Sequence, residues 1–120
     1  MSIERIIDDV TRVNGVNIVS LCSRDGIPIA SQAPVGAADE DRIAAMSAEI
    51  GQAIQVLSSS WDGAGFAIAA FEASSGKLVV ADVGKAYLAV LSDQAANTGL
   101  LRLSVERACE QLRKALSAPT

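Results

Sequence analysis

Apolar positions at Ile3, Ile6, Ile7, Val10 and Val13 recur three or four residues apart, which marks one face of an α-helix. Ser2 is placed to cap its start, and Glu4 lies in the first turn, where the helix dipole favours an anion. Asn14-Gly15 ends the pattern. The period then shortens. Apolar runs at 16–23 and 27–31 flank Asp25-Gly26, a dipeptide that supplies the positive φ angles of a tight hairpin turn. Pro28 has no backbone donor, so its strand belongs at a sheet edge or turns its nitrogen outward.

A loop with Pro34 and Gly36 leads to Asp39-Glu40-Asp41, an acidic first turn that starts a second helix. Ile43, Met46, Ile50, Ala53, Ile54 and Leu57 form its apolar stripe, while Ala44, Ala45, Ala48 and Gly51 make it thin. A glycine inside a helix costs about 0.5–1 kcal/mol relative to alanine. Gly51 is either tolerated or marks a close approach, by the sheet beneath or by a second copy of the helix. Ser58 to Gly65 reads as a loop. Trp61, the sole tryptophan, either plugs the core edge or anchors an interface.

Three strands follow at about 65–72, 77–83 and 86–92, turning at Ser74-Ser75-Gly76 and Gly84-Lys85. All three are apolar on both faces, which predicts a sheet covered by helices on both sides. Asp93 or Asn97 caps a last helix whose buried stripe is Leu100, Leu101, Val105, Ala108, Cys109, Leu112 and Leu116, and Pro119 closes the pattern. Arg102, Arg107, Arg113 and Lys114 load its middle and C-terminal end with positive charge, as the dipole favours. The predicted order is α-β-β-α-β-β-β-α.

At 120 residues the chain suits one domain over 1–120, and with half its residues apolar it builds a core without metals or disulfides. The net charge of −4 and the lack of a basic stripe interleaved with aromatics argue against nucleic acid as a partner. There is no histidine, which removes the commonest general base and metal ligand. Cys22 in a strand and Cys109 in a helix read as small buried hydrophobes, with a disulfide between them left open and no CxxC redox spacing. Without a basic segment followed by an apolar stretch at the start, no signal peptide is expected, and no apolar run approaches the roughly 20 residues of a bilayer span. The expectation is a soluble cytoplasmic protein without membrane insertion.

Candidate chemistry is sparse. Gly63-x-Gly65 precedes a strand, whereas phosphate cradling needs its glycines at a helix N-terminus. Asp8-Asp9 and the Asp39/Asp41 pair read as solvated helix-surface charge, and no nucleophile has a base beside it. No catalytic residue, metal or cofactor is expected, and function must lie in the surfaces offered to partners.

Asn14-Gly15-Val16, the run Ser23-Arg24-Asp25-Gly26-Ile27-Pro28-Ile29-Ala30-Ser31, Gly76-Lys77-Leu78-Val79-Val80 and Asn97-Thr98-Gly99-Leu100-Leu101-Arg102, in this order, resemble the roadblock/LC7 family over essentially the whole chain. The resemblance implies a three-layer α+β fold. Its five-stranded antiparallel sheet would carry helices one and three on one face and helix two on the other. It implies a homodimer in which the third strands pair across a two-fold axis and the second helices lie side by side. The expected dimer residues are Ala44, Ala48, Gly51, Phe66, Ile68 and Ala70. Prokaryotic members of the family resemble regulators of small Ras-like GTPases. The expected partner surface is the paired second helices, with Arg42, Glu49, Gln52 and Gln55 as its polar residues. Arg42 reads either as a solvated helix residue or as an arginine inserted into the GTPase site. The alternatives are a structural adaptor that leaves nucleotide turnover untouched and a small-molecule sensor.

Overall fold

The computed structural model describes residues 2–33, 40–61 and 68–117, apart from the Trp61 side chain. Residues 34–39, with most of the expected loop and Asp39 of the acidic run, as well as Gly63, Gly65, Phe66 and Pro119, lie outside the described residues, as does the reading of Trp61. The elements are α1 (Ile3–Thr11), β1 (Val16–Ser23), β2 (Pro28–Gln32), α2 (Glu40–Trp61), β3 (Ile68–Ala73), β4 (Gly76–Asp82), β5 (Ala86–Ser92) and α3 (Thr98–Ser117). This is the predicted order, and the strands form one antiparallel sheet in the order β2-β1-β5-β4-β3.

Local chemistry sets the boundaries. Ser2 Oγ accepts from the Arg5 N–H at 3.2 Å and caps α1. Asn97, the second of the two expected caps, accepts from the Leu100 N–H at 3.0 Å to start α3. The β1–β2 turn differs from the expected pair of positive φ angles. Only Gly26 is positive, at 88°. Gly26 N–H donates to Ser23 O at 3.0 Å and Ser23 N–H to Ile27 O at 2.9 Å, the pattern of a turn closed by one left-handed glycine. β2 is an edge strand, which accommodates Pro28. The helix at 40–61 runs through Ser58–Trp61, where a loop was expected. Ser60 Oγ donates back to Val56 O at 3.0 Å, so its hydroxyl is satisfied inside the helix.

The sheet has a core on each face. On one side Ile6, Ile7 and Val10 of α1 and Leu101, Val105, Ala108, Cys109 and Leu112 of α3 pack on Val19, Leu21, Val79, Ala81, Leu88 and Val90. On the other, Ala44 and Ala48 of α2 pack on Cys22, Val80, Tyr87 and Ala89. The two cysteines are free and buried on opposite faces, which answers the open disulfide question. Burial pushes the Cys109 thiol up to about 11 and raises Cys22 as well. The expectation of strands covered on both faces holds for β4 and β5 and fails for β3, which is exposed from Ala70 to Ala73. No helix of the described residues is long and apolar enough to cross a membrane.

Candidate functional site

The placement of α2 decides which surface the molecule offers. Ala44, Ser47, Ala48 and Gly51, at three- and four-residue spacing, are its buried face. These side chains are small because the sheet comes close. A Cβ built on Gly51 would stand 2.6 Å from Cε1 and Cζ of Tyr87. Buried Tyr87 therefore fills the space that a side chain at 51 would need. Burial also raises its phenol above the ordinary range, with the nearby Arg24 charge opposing that shift.

A polar cluster at one end of the sheet fixes this seat. Arg24 of the hairpin donates to both carboxylate oxygens of Asp82, at 3.0 and 3.3 Å, and its guanidinium lies 4.9 Å from the Tyr87 ring centroid. The same carboxylate accepts the Gly84 N–H at 2.8 Å, and Arg113 of α3 donates to the Asp82 carbonyl at 2.8 Å. Gln52 Nε2 of α2 donates to the Arg24 carbonyl at 2.8 Å. Hairpin, β4–β5 turn, α2 and α3 are thus linked through Arg24 and Asp82.

With its small residues turned down, α2 turns large ones outward. Ile43, Met46, Ile50, Ala53 and Leu57 follow the 3-4-3-4 spacing of a helix-pairing seam. Ile43 and Ile50 are half-buried, Ile50 against the α2-side core of its own chain, while Met46 is 47%, Leu57 66% and neighbouring Val56 68% exposed. The apolar surface resumes on the sheet beside α2. Phe71, 44% exposed, pairs in register with Leu78, which packs in the α2-side core. Among the described residues β3 pairs only with β4, so its outer edge is open. Large apolar residues on an open edge and an adjoining helix mark an interaction surface.

The expected site residues divide. Arg42 and Glu49 are exposed on α2. Gln52 is exposed, yet its amide holds the hairpin carbonyl. Gln55 is half-buried, and its Oε1 is buried without a hydrogen-bond partner among the described residues. Ala44, Ala48 and Gly51 do not face a second helix. They are buried against the sheet of their own chain, and of the two close approaches considered for Gly51 the sheet is the one found. Ile68 and Ala70 stand opposite Ala81 and Val79 on the α1/α3 side of β3. Val56 and Phe71 were missed. Sequence gave a signal for the seam in its alternating 3-4 spacing, but that spacing does not tell a core stripe from an exposed one. Among the described residues no group of three acidic or cysteine side chains is placed to hold a metal ion.

The sequence profile of the Roadblock/LC7 domain matches residues 2–92. The chain is 32% identical over 111 residues to the uncharacterized protein MJ0714 of Methanocaldococcus jannaschii, covering 92% of this chain and 93% of that protein. The uncharacterized protein MJ1340 of the same organism is 31% identical, with 92% and 96% covered. Among solved structures, Myxococcus xanthus MglB superposes with a TM-score of 0.80 at 24% identity, over 94% of this chain and 89% of that one. A Roadblock/LC7 domain from Streptomyces avermitilis superposes with a TM-score of 0.86 at 21% identity, over 96% and 98%.

Proposed function

The chain belongs to the Roadblock/LC7 domain family, and from that premise we propose that it is a non-catalytic homodimer that binds a small Ras-like GTPase and regulates its GTP hydrolysis. The observation that carries the reading is the outward stripe of α2. Met46, Val56 and Leu57 are large, exposed and set on a helix of 22 residues. In a two-fold dimer the same patch serves both copies. Pairing β3 with its counterpart closes the open edge and covers Phe71, and it brings two α2 helices beside each other. Ile68 and Ala70 then lie on the paired strands, Met46, Ala53 and Leu57 replace the small residues as the helix contact, and Arg42 and Glu49 stand on the rim facing the GTPase. A dimer that holds the GTPase's own catalytic groups in position accelerates phosphoryl transfer without contributing a reacting atom.

The test is single-turnover GTP hydrolysis by the Ras-like GTPase encoded nearest this gene, with and without excess of this protein. Acceleration that is lost on charge reversal at Arg42 and Glu49 together is expected. Binding without acceleration would make the protein an adaptor, and unchanged binding by the reversed variant would move the partner surface off α2.

A further inference from the structure

We propose a second docking surface on the opposite face of the sheet, a groove between α1 and α3 that takes an acidic, leucine-bearing helix of a protein partner. The groove has a volume of about 240 Å³ and is lined by Ile6, Asp9, Val10, Arg12, Ser104 and Arg107, among others. It continues past Asp9, Arg12, Ser104 and Arg107 into a wider hollow of about 520 Å³, walled by Val13, Leu100 and Leu103.

Two observations point to an occupant. The first is apolar. Leu100 and Leu103 are 57% and 52% exposed, whereas Leu101, Val105 and Leu112 of the same helix are fully buried. The exposed leucines are therefore not needed by the chain's own core. The second is charge. Arg12, at the C-terminal end of α1, is engaged by Asp8 at 3.3 Å and Asp9 at 3.9 Å, and Arg102 by Glu106 at 2.9 Å. Arg107, which lines both parts of the groove, pairs with no carboxylate among the described residues. On a chain of net charge −4 it is an unmet cation between a polar trench and an apolar wall. A carboxylate on Arg107 with an apolar side chain one helical turn away on Leu103 satisfies both, and bidentate guanidinium–carboxylate pairing fixes the register. The groove lies across the sheet from α2, so it does not depend on the reading of that face.

The test uses a synthetic helical peptide of alternating glutamate and leucine pairs, with a lysine-for-glutamate counterpart, titrated into the isotope-labelled full chain. Amide shift changes centred on Leu100, Leu103, Ser104 and Arg107 are expected with the acidic peptide alone. Arg107→Glu should weaken binding about tenfold or more and flatten its salt dependence. Leu103→Ser, at a half-exposed site, should weaken binding while leaving the thermal transition in place. Equal binding of the basic peptide, shifts centred on α2 or no binding would each overturn the proposal. So would concentration-dependent shifts at these amides without peptide, which would assign the face to a second copy.

Discussion

Replacing Gly51 by alanine separates this packing account from ordinary helix energetics. At an exposed mid-helix site Gly→Ala stabilises by about 0.5–1 kcal/mol, because glycine loses more backbone freedom on folding. Here the added methyl carbon would stand 2.6 Å from two ring carbons of Tyr87 and 2.9 Å from a third. Real side chains do not approach so closely, so either α2 lifts or the ring turns. The ring is buried, borne by β5 and covered by the Arg24 guanidinium, so it has little room to yield. Overpacking of this kind costs about 1–3 kcal/mol. The overlap exceeds the propensity gain, and a net loss of about 1 kcal/mol is expected, or roughly 3–5 °C in Tm for a chain of this length. Urea and thermal unfolding at one fixed protein concentration measure it, since any self-association is linked to stability. In a double-mutant cycle with Tyr87→Ala the penalty at 51 should vanish. An increase in stability for Gly51→Ala with no coupling to Tyr87 would refute the seating of α2 described above.

Asp82→Ala removes the acceptor of two Arg24 bonds and of the Gly84 N–H. Arg24 is partly exposed and regains water, so a loss of about 1–2 kcal/mol in urea unfolding is expected rather than that of a fully buried pair. Lys77→Met frees the Ala96 carbonyl and the Thr98 hydroxyl, which its ammonium bonds at 2.8 and 2.6 Å, and hydrogen exchange should show faster opening of the first turn of α3. Burial holds the Cys109 thiol neutral up to about 11, above its ordinary value of 9.0. The folded value is raised, so its stabilising contribution is complete below pH 9 and is lost as pH climbs toward 11. Urea midpoints across that window should fall more steeply for the native chain than for Cys109→Ala.

The order of elements and the three-layer architecture were legible because caps, turns and periodicities agree along the chain. Ser2, Gly26, Pro28 and Asn97 each announce a boundary that the structure keeps. The orientation of α2 was not legible. Its sequence carries two faces, one of small residues and one of larger apolar residues, and a period of 3.6 fits both. The core residue that decides between them, Tyr87, lies 36 positions after Gly51, and only the fold brings its ring beneath the helix. The same contact turns Met46 and Leu57 outward. Ser58–Trp61 was misread because a serine that satisfies its hydroxyl within a helix, as Ser60 does, looks in sequence like a loop residue. The exposure of β3 also escaped, since its apolar composition matches that of β4 and β5, and only their position in the sheet differs.

Sedimentation equilibrium on the purified chain and on Met46→Glu/Leu57→Glu tests the α2 surface most directly. Met46 is 47% and Leu57 66% exposed, so the variant should keep its fold by circular dichroism. The native chain should sediment as a dimer and the variant as a folded monomer. A native chain that sediments as a monomer, or a variant that remains as dimeric as the native protein, would contradict pairing through α2.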